Sequence, residues 1–448
     1  MKARHFWLSL AVILAADLAL SMLYAHLTPL GQNGFANTPD EGAHLQYVHY
    51  LVTHHSLPVL GRSKHAGYEA HQPPFYYLLC ILPYLVRPSW CRLISILAGM
   101  GTLLFIAVTG RKALPFDAKI GLWAAALTAV IPMHIAINSA VNNDSLNELI
   151  FTTVFFLAAV GIVQGFDRRT AFALGVLIGL GEWVKATGLL LYPIGAIAFY
   201  LSWHRQPQKR LPVKTWVGIA AISVLIALPW WIHCQLVYGA PIPAQRFAQQ
   251  FAGTAKAEAM VARPIAVDHD SGNLIPAANG EPLGWSGYIG WVTDWTFRSF
   301  FAAYGVPGVN GHKGPADVGL PTFLPAPLYG LMLGLIVISA IGLVIAHFRR
   351  DRLMSRAEIS VIQMLAWGLA LVVISFIVFV AVYFQAQGRY LYPAMLPISL
   401  LTVLGWRQVA GDRYRELLCG GVVGILALVS LVFILNYAAP AAALLKGH

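Results

Sequence analysis

Pro73-Pro74-Phe75-Tyr76-Tyr77-Leu78-Leu79-Cys80-Ile81-Leu82-Pro83-Tyr84-Leu85-Val86 is the stretch on which the reading of this chain turns. It is apolar, opens with two prolines and is about 14 residues long, short of the roughly 20 residues that a full helical crossing of a bilayer needs. If it crosses, every later loop changes side. Arg111-Lys112, Arg168-Arg169, the run from Arg205 to Lys214 and the run from Arg349 to Arg356 would then all face outward. That would violate, loop after loop, the bias that keeps Lys and Arg in the cytoplasm. If it dips in and returns, all those clusters lie inside. We therefore read it as a re-entrant or interfacial segment.

The rest of the chain has the composition of a membrane protein. Hydrophobic residues make up 58% and charged residues 11% of its 448 positions, and mean hydropathy is +0.65. A soluble domain carries about twice that share of charge. Spans are expected near 6–27, 92–110, 117–138, 145–165, 170–184, 186–203, 214–236, 326–347, 360–384, 390–406 and 416–437, about 11 in all. The fold class is all-α, a polytopic transmembrane helical protein forming one integral membrane domain over 1–448. The first apolar run follows Lys2 and Arg4. It is long for a signal peptide and precedes no small-x-small cleavage site, so it reads as an uncleaved span. The N-terminus is expected inside and the C-terminus outside. The net charge of +11 sits largely in short loops and marks topology, with no nucleic acid implied. Cys80, Cys91, Cys234 and Cys419 show no pairing or metal spacing and read as inert core thiols.

This topology collects the unusual polar residues on one side. The first outer loop, 28–91, with juxtamembrane helices, holds Asp40, Glu41, His44, Tyr68, Glu69, His71 and Gln72. Asn142-Asn143-Asp144, Lys185 and Gln387-Gly388-Arg389 come to the same side. The second large outer loop is 237–325, and its Tyr288, Trp291 and Trp295 read as interfacial anchors of a helix. Ionisable groups beside a bilayer are costly and tend to be functional.

Each group also has a plainer reading. Thr38-Pro39-Asp40-Glu41 is a helix start, with Thr38 as N-cap and Glu41 completing a capping box. That accounts for Glu41 better than for Asp40. Glu69 and His71, two apart, point the same way in an extended segment and could ligate a divalent ion or bind phosphate and hydroxyl groups, although a hydrogen-bonded polar cluster is the better single reading. Asn143 or Asp144 suits the N-cap of the next span. Lys185 suits snorkelling or a pair with Glu182. Arg389 lies outside, against the cytoplasmic bias, and with Lys185 suits an anionic phosphate.

In order and spacing the chain resembles the GT-C superfamily of polytopic glycosyltransferases. It is most similar to the bacterial branch of protein O-mannosyltransferases and lipid A aminoarabinose transferases, glycosyltransferase family 39-like. Pro39-Asp40-Glu41, His71-Gln72-Pro73-Pro74-Phe75-Tyr76-Tyr77, Asn142-Asn143-Asp144, Lys185-Ala186-Thr187-Gly188 and Gln387-Gly388-Arg389-Tyr390 carry the resemblance. It implies an inverting hexosyl- or pentosyltransferase of the cell envelope, in a bacterial inner membrane with an extracytoplasmic active site. A polyprenyl-phosphate sugar would be the donor, and a glycan, lipid or protein the acceptor. Asp40, with Glu41 beside it, is then the expected base. Lys185, Arg389, His71 and Gln72 would bind the donor phosphate, and His44, Tyr68, Asn143 and Asp144 would line the substrate. Many relatives carry Lys before the Pro-Pro. Gln72 stands there here, a departure at the donor head group. A divalent metal at Glu69 and His71 is the one cofactor these residues suggest. A transporter or flippase for a lipid-linked or anionic precursor is the alternative, though it would place its ionisable groups nearer the midplane and show repeat symmetry. A membrane scaffold is third, since it leaves the outer polar cluster unexplained.

Overall fold

A computed structural model describes residues 2–31, 40–205, 208, 210–243, 247, 256–262, 265–267, 274–276, 282, 284–302, 324–383 and 385–435. The architecture is helical. The first half holds α1 (Ala3–Leu27), α2 (Glu41–His54), α3 (Phe75–Val86), α4 (Arg92–Ala113), α5 (Ile120–Ala129), α6 (Pro132–Asn138) and α7 (Asn143–Gln164). There follow α8 (Arg168–Gly181), α9 (Leu191–Arg205), α10 (Val213–Tyr238), α11 (Ala257–Ala262), α12 (Gly284–Phe301), α13 (Ala326–Leu353), α14 (Arg356–Val380) and α15 (Met395–Phe433). One departure from an all-helical chain lies in the second loop, where β1 (Ile265–Val267) and β2 (Leu274–Pro276) form an antiparallel ribbon.

Every expected span has a helical counterpart. Eight helices among the described residues are long and apolar enough to cross a membrane, and nine if the bent pair α5–α6 is one span. That pair bends by 73°, because Pro132 starts a new helix and cannot continue the old ladder. The expected spans 170–184 and 390–406/416–437 account for the difference. The first corresponds to α8, only 14 residues long. The second pair is one element here, kinked at Gly411 (φ 63, ψ −179), a conformation open essentially to glycine.

The 73–86 stretch forms α3, 12 residues and so roughly 18 Å long, against a hydrocarbon core of about 30 Å. It buries Tyr76, Tyr77 and Cys80 and exposes Leu78, Leu82, Leu85 and Val86. Such a short, one-sidedly buried apolar helix fits the membrane boundary, as the interfacial reading expected.

Small residues let the helices approach closely. A Cβ on Gly342 of α13 would lie 1.8 Å from the Gly405 carbonyl oxygen of α15, and one on Gly110 of α4 would lie 2.3 Å from Gly121 Cα of α5. On the side carrying the basic loops, Arg407 of α15 pairs with Asp117 (2.6 Å) and Glu416 (2.9 Å). Helix α14 starts in a capping box between Ser355 and Glu358. The aromatics of α12 differ from expectation. Tyr288 and Trp295 are buried against Phe376, Val380 and Ala386, and the Tyr288 hydroxyl donates to the Val380 carbonyl. They anchor α12 to the protein, because α14 offers an apolar face where lipid was expected.

Candidate active site

Five separate segments build one cavity. The first is the start of α2. Asp40 precedes it in a left-handed backbone conformation (φ 63, ψ 2) and makes no cap with its side chain. Its carboxylate is turned to other partners. It accepts the Tyr68 hydroxyl at 2.6 Å and pairs with Arg389. Burial alone would raise the Asp40 pKa, but the Arg389 guanidinium and the Tyr68 hydrogen bond outweigh it and hold the group below its usual value. Burial, reinforced by the Asp40 charge, raises the Tyr68 phenol and keeps it a donor.

Thr38 and Pro39 lie outside the described residues, so the expected cap by Thr38 cannot be placed. Glu41 makes a different set of bonds. It is fully buried, paired with Arg92 (Nε–Oε1 2.7 Å, Nη2–Oε2 2.6 Å). It also accepts the Gly31 (3.0 Å) and Val141 (2.9 Å) amides. Arg92 donates further to the carbonyls of Ala25, Thr28 and Pro29. This knot ties the end of α1 to α2, α4 and the turn before α7, and Glu41 is not among the cavity-lining residues.

The second segment is the turn Tyr68–His71 and the following Gln72. His71 Nδ1 lies 3.0 Å from the Tyr68 carbonyl oxygen, and burial pushes its pKa down to about 4, so the ring is neutral. Burial likewise lowers His44, whose Nδ1 meets the Tyr77 hydroxyl at 2.8 Å. Glu69 moves the other way. Burial first, and the nearby Asp40 charge next, raise its carboxyl above the usual range.

The third segment starts α7. Asn142, not Asn143 or Asp144, is the N-cap: its backbone is extended (φ −152, ψ 130) and its side chain accepts the Asp144 amide at 2.9 Å. Asn143 and Asp144 are thereby free to serve the cavity. Asn143 Nδ2 donates to Gln72 Oε1 (3.3 Å) and the Val184 carbonyl (3.2 Å).

The fourth and fifth segments each supply one cation. Lys185 is extended ahead of a tight turn in which a Cβ on Gly188 would lie 2.4 Å from the Gly181 carbonyl carbon. Its ammonium pairs with Asp144 and not with Glu182, which accepts the Trp231 indole instead (3.2 Å). Arg389 follows Gly388, pressed so closely on the Phe300 backbone that a Cβ would lie 2.3 Å away. Arg389 Nη1 reaches Asp144 Oδ2 at 3.5 Å. Both cations face the Tyr390 ring, Lys185 at 5.6 Å and Arg389 at 5.4 Å from its centroid.

The resulting cavity is about 570 Å³. Asp40, His44, Tyr68, Glu69, His71, Gln72, Asn143, Asp144, Lys185 and Arg389 all line it, so every expected site residue except Glu41 converges here. A second cavity of about 170 Å³ shares Asp144, Lys185, Arg389 and Tyr390 and continues along apolar Val372, Phe376 and Pro393. Among the described residues no group of three or more His, Cys, Asp or Glu is arranged to hold a metal ion. Glu69 and His71 alone supply too few ligands for one.

The sequence reading gave no role to Arg92 or Tyr390 and missed a buried polar cluster inside the bundle. In that cluster His134 Nε2 meets Glu148 Oε1 and Asn138 Nδ2, each at 3.0 Å, with Asp17 of α1 also buried. Ionisable residues within apolar spans were the available signal.

Residues 71–233 match the family model described as dolichyl-phosphate-mannose-protein mannosyltransferase. A search of curated protein sequences found no significant match. Among solved structures, the chain is similar to ArnT from Cupriavidus metallidurans bound to undecaprenyl phosphate. That match has 13% identity and a TM-score of 0.51, and covers 99% of this chain and 75% of that one. The archaeal oligosaccharyltransferase AglB from Archaeoglobus fulgidus, in complex with an inhibitory peptide and a dolichol-phosphate, aligns over 100% of this chain and 56% of its own, at 13% identity and a TM-score of 0.48. Over residues 71–233 the chain thus resembles this mannosyltransferase family, and its helical fold is like that of ArnT.

Proposed function

We propose that the cavity transfers a sugar from a polyprenyl-phosphate donor to a hydroxyl acceptor on the extracytoplasmic side, with inversion at the anomeric carbon. The observation that carries this is the meeting of Lys185 and Arg389 with Asp40 and Asp144 in one cavity beside an apolar extension. The donor phosphate would sit against the two cations, with the first isoprene units in the apolar extension. The acceptor oxygen attacks the anomeric carbon, the bond from that carbon to the phosphate oxygen breaks, and the electron pair leaves with the lipid phosphate. Lys185 and Arg389 stabilise the charge that develops there. The acceptor proton passes to Asp40.

Asp40 is a weak base while Arg389 and Tyr68 hold it. A bound phosphate competes for Arg389, and a carboxylate relieved of that contact accepts a proton more readily. The activity for which the matched family is named and the lipid carrier bound in the ArnT structure support this donor class. An extracytoplasmic site is supported by the basic loops, which lie away from the cavity in sequence and by the inside bias belong to the cytoplasm. No observation favours transport.

The test is reconstitution in liposomes with undecaprenyl-phosphate sugars as donors, following release of undecaprenyl phosphate. Wild-type protein should release it, and Asp40→Asn should do so at least about 100-fold more slowly, the usual range for losing a general base. Equal rates would remove Asp40 from the role, and no release from any donor would remove the function.

A further inference from the structure

Glu69 differs from the other cavity acids. Asp40 and Asp144 each have both oxygens engaged by cations or a hydroxyl. Glu69 lines the same cavity and is 9% exposed. Among the described residues it forms no ion pair, and its Oε2 is buried with no hydrogen-bond partner. The Gln72 side chain lies beside it in the lining. Gln72 is in turn fixed by Asn143, which also bonds the Val184 carbonyl. Glu69 therefore stands in the cavity wall without a cation of its own.

The charged and titratable groups around it are Asp40, His44 and Lys185, with His71 close in sequence. Both imidazoles are neutral by burial, and Lys185 is already paired with Asp144. An ionised carboxyl buried without its own cation is costly, whereas a protonated one offers an O–H donor and an acceptor. The upward shift of the Glu69 carboxyl, from burial and then from Asp40, points the same way. A phosphate arriving at Lys185 and Arg389 would add negative charge and hold the proton more firmly.

Resting on the glycosyl-transfer reading, we propose that Glu69 is a neutral recognition group that hydrogen-bonds a hydroxyl of a sugar in the cavity, on the donor or on the acceptor. It is a specificity-determining residue and not the base.

The experiment measures binding to the full-length protein in detergent. Titrations with undecaprenyl phosphate, undecaprenyl-phosphate mannose and undecaprenyl-phosphate glucose are followed by tryptophan fluorescence, with Trp230 in the cavity wall as reporter. Free methyl mannoside and methyl glucoside, added with undecaprenyl phosphate present, probe the acceptor side. Glu69→Ala should weaken a sugar-bearing ligand roughly tenfold, the loss of about one hydrogen bond, and leave undecaprenyl phosphate unchanged. Loss with the lipid-linked sugars assigns the contact to the donor, and loss with the glycosides assigns it to the acceptor. Glu69→Gln, neutral at every pH, should bind within about twofold of wild type below the Glu69 pKa. It should also abolish the weakening that wild type shows as pH rises and the carboxyl ionises. Unchanged sugar affinity in Glu69→Ala overturns the proposal. So does a folded Glu69→Gln protein that binds normally but releases no undecaprenyl phosphate, since that outcome would make Glu69 a base. If wild type itself fails to bind undecaprenyl phosphate, the donor reading fails instead.

Discussion

Arg389 and Asp40 stand 349 positions apart in the chain and share one buried ion pair. The pair joins the segment before α2 to the turn before α15. It also places the proposed base against the proposed phosphate ligand, so each holds the other until substrate arrives.

Removing one partner should therefore reveal two separate effects. Arg389→Gln leaves Asp40 as a buried unpaired carboxylate and should cost about 3–5 kcal/mol of stability. The double variant Asp40→Asn/Arg389→Gln should melt higher than Arg389→Gln alone, yet bind undecaprenyl phosphate no better. Thermal melts and lipid-binding titrations on the same preparations separate the two. If the double variant melts below the single one, the pair is not what Arg389 contributes.

The pair also sets an acid limit. The folded Asp40 carboxyl titrates below its ordinary value, so its stabilising effect is present above about pH 4, the unfolded carboxylate value. It is lost as pH falls through the lower folded value. Asp40→Asn should flatten that part of the stability curve, measured as melting temperature in detergent from pH 6 to pH 3. An unaltered acid slope would show that other carboxyls dominate.

For Glu41 we expect a structural signature. Glu41→Gln should lower the melting temperature by weakening the Arg92 knot, while the folded fraction binds undecaprenyl phosphate with unchanged affinity. Arg92→Ala should be worse, because it strands a carboxylate and three carbonyls. A well-folded Glu41→Gln protein that has lost only turnover would return Glu41 to the chemistry.

Topology can be checked directly. Reporter fusions after residue 88 and after residue 112 should report the outside and the inside respectively. The reverse pattern would move the cavity to the cytoplasmic face.

Much of this was readable before any coordinates. Apolar runs and basic loops located the helices, since both signals are properties of the segment alone. The same loops brought Asp40, Asp144, Lys185 and Arg389 to one side. Pairings were not readable. Lys185 has Glu182 three positions away, and local spacing favours that pair, but the tight turn at Gly188 carries the ammonium to Asp144. Glu41 had every local mark of a capping acid, and only the tertiary approach of Arg92 gives it another partner. Asn142 was overlooked as a cap because three adjacent polar residues all suit the position, and backbone conformation chooses among them. Tyr288 and Trp295 read as interface anchors because sequence shows that an aromatic seeks an amphipathic place without showing whether lipid or α14 provides it.

The distance between the partners in the chain also governs how the site comes into being. At about 5–20 residues synthesised per second, roughly 20 to 70 seconds separate the emergence of Asp40 from that of Arg389. Through that interval the carboxylate is already made while its guanidinium has yet to leave the ribosome. A nascent chain cut short before the turn at Gly388 therefore keeps an unmatched acid beside the bilayer and an open cavity wall. Such a fragment lacks both the guanidinium that pairs with Asp40 and the Tyr390 ring of the cavity wall, so the site is completed only when the last helix is begun.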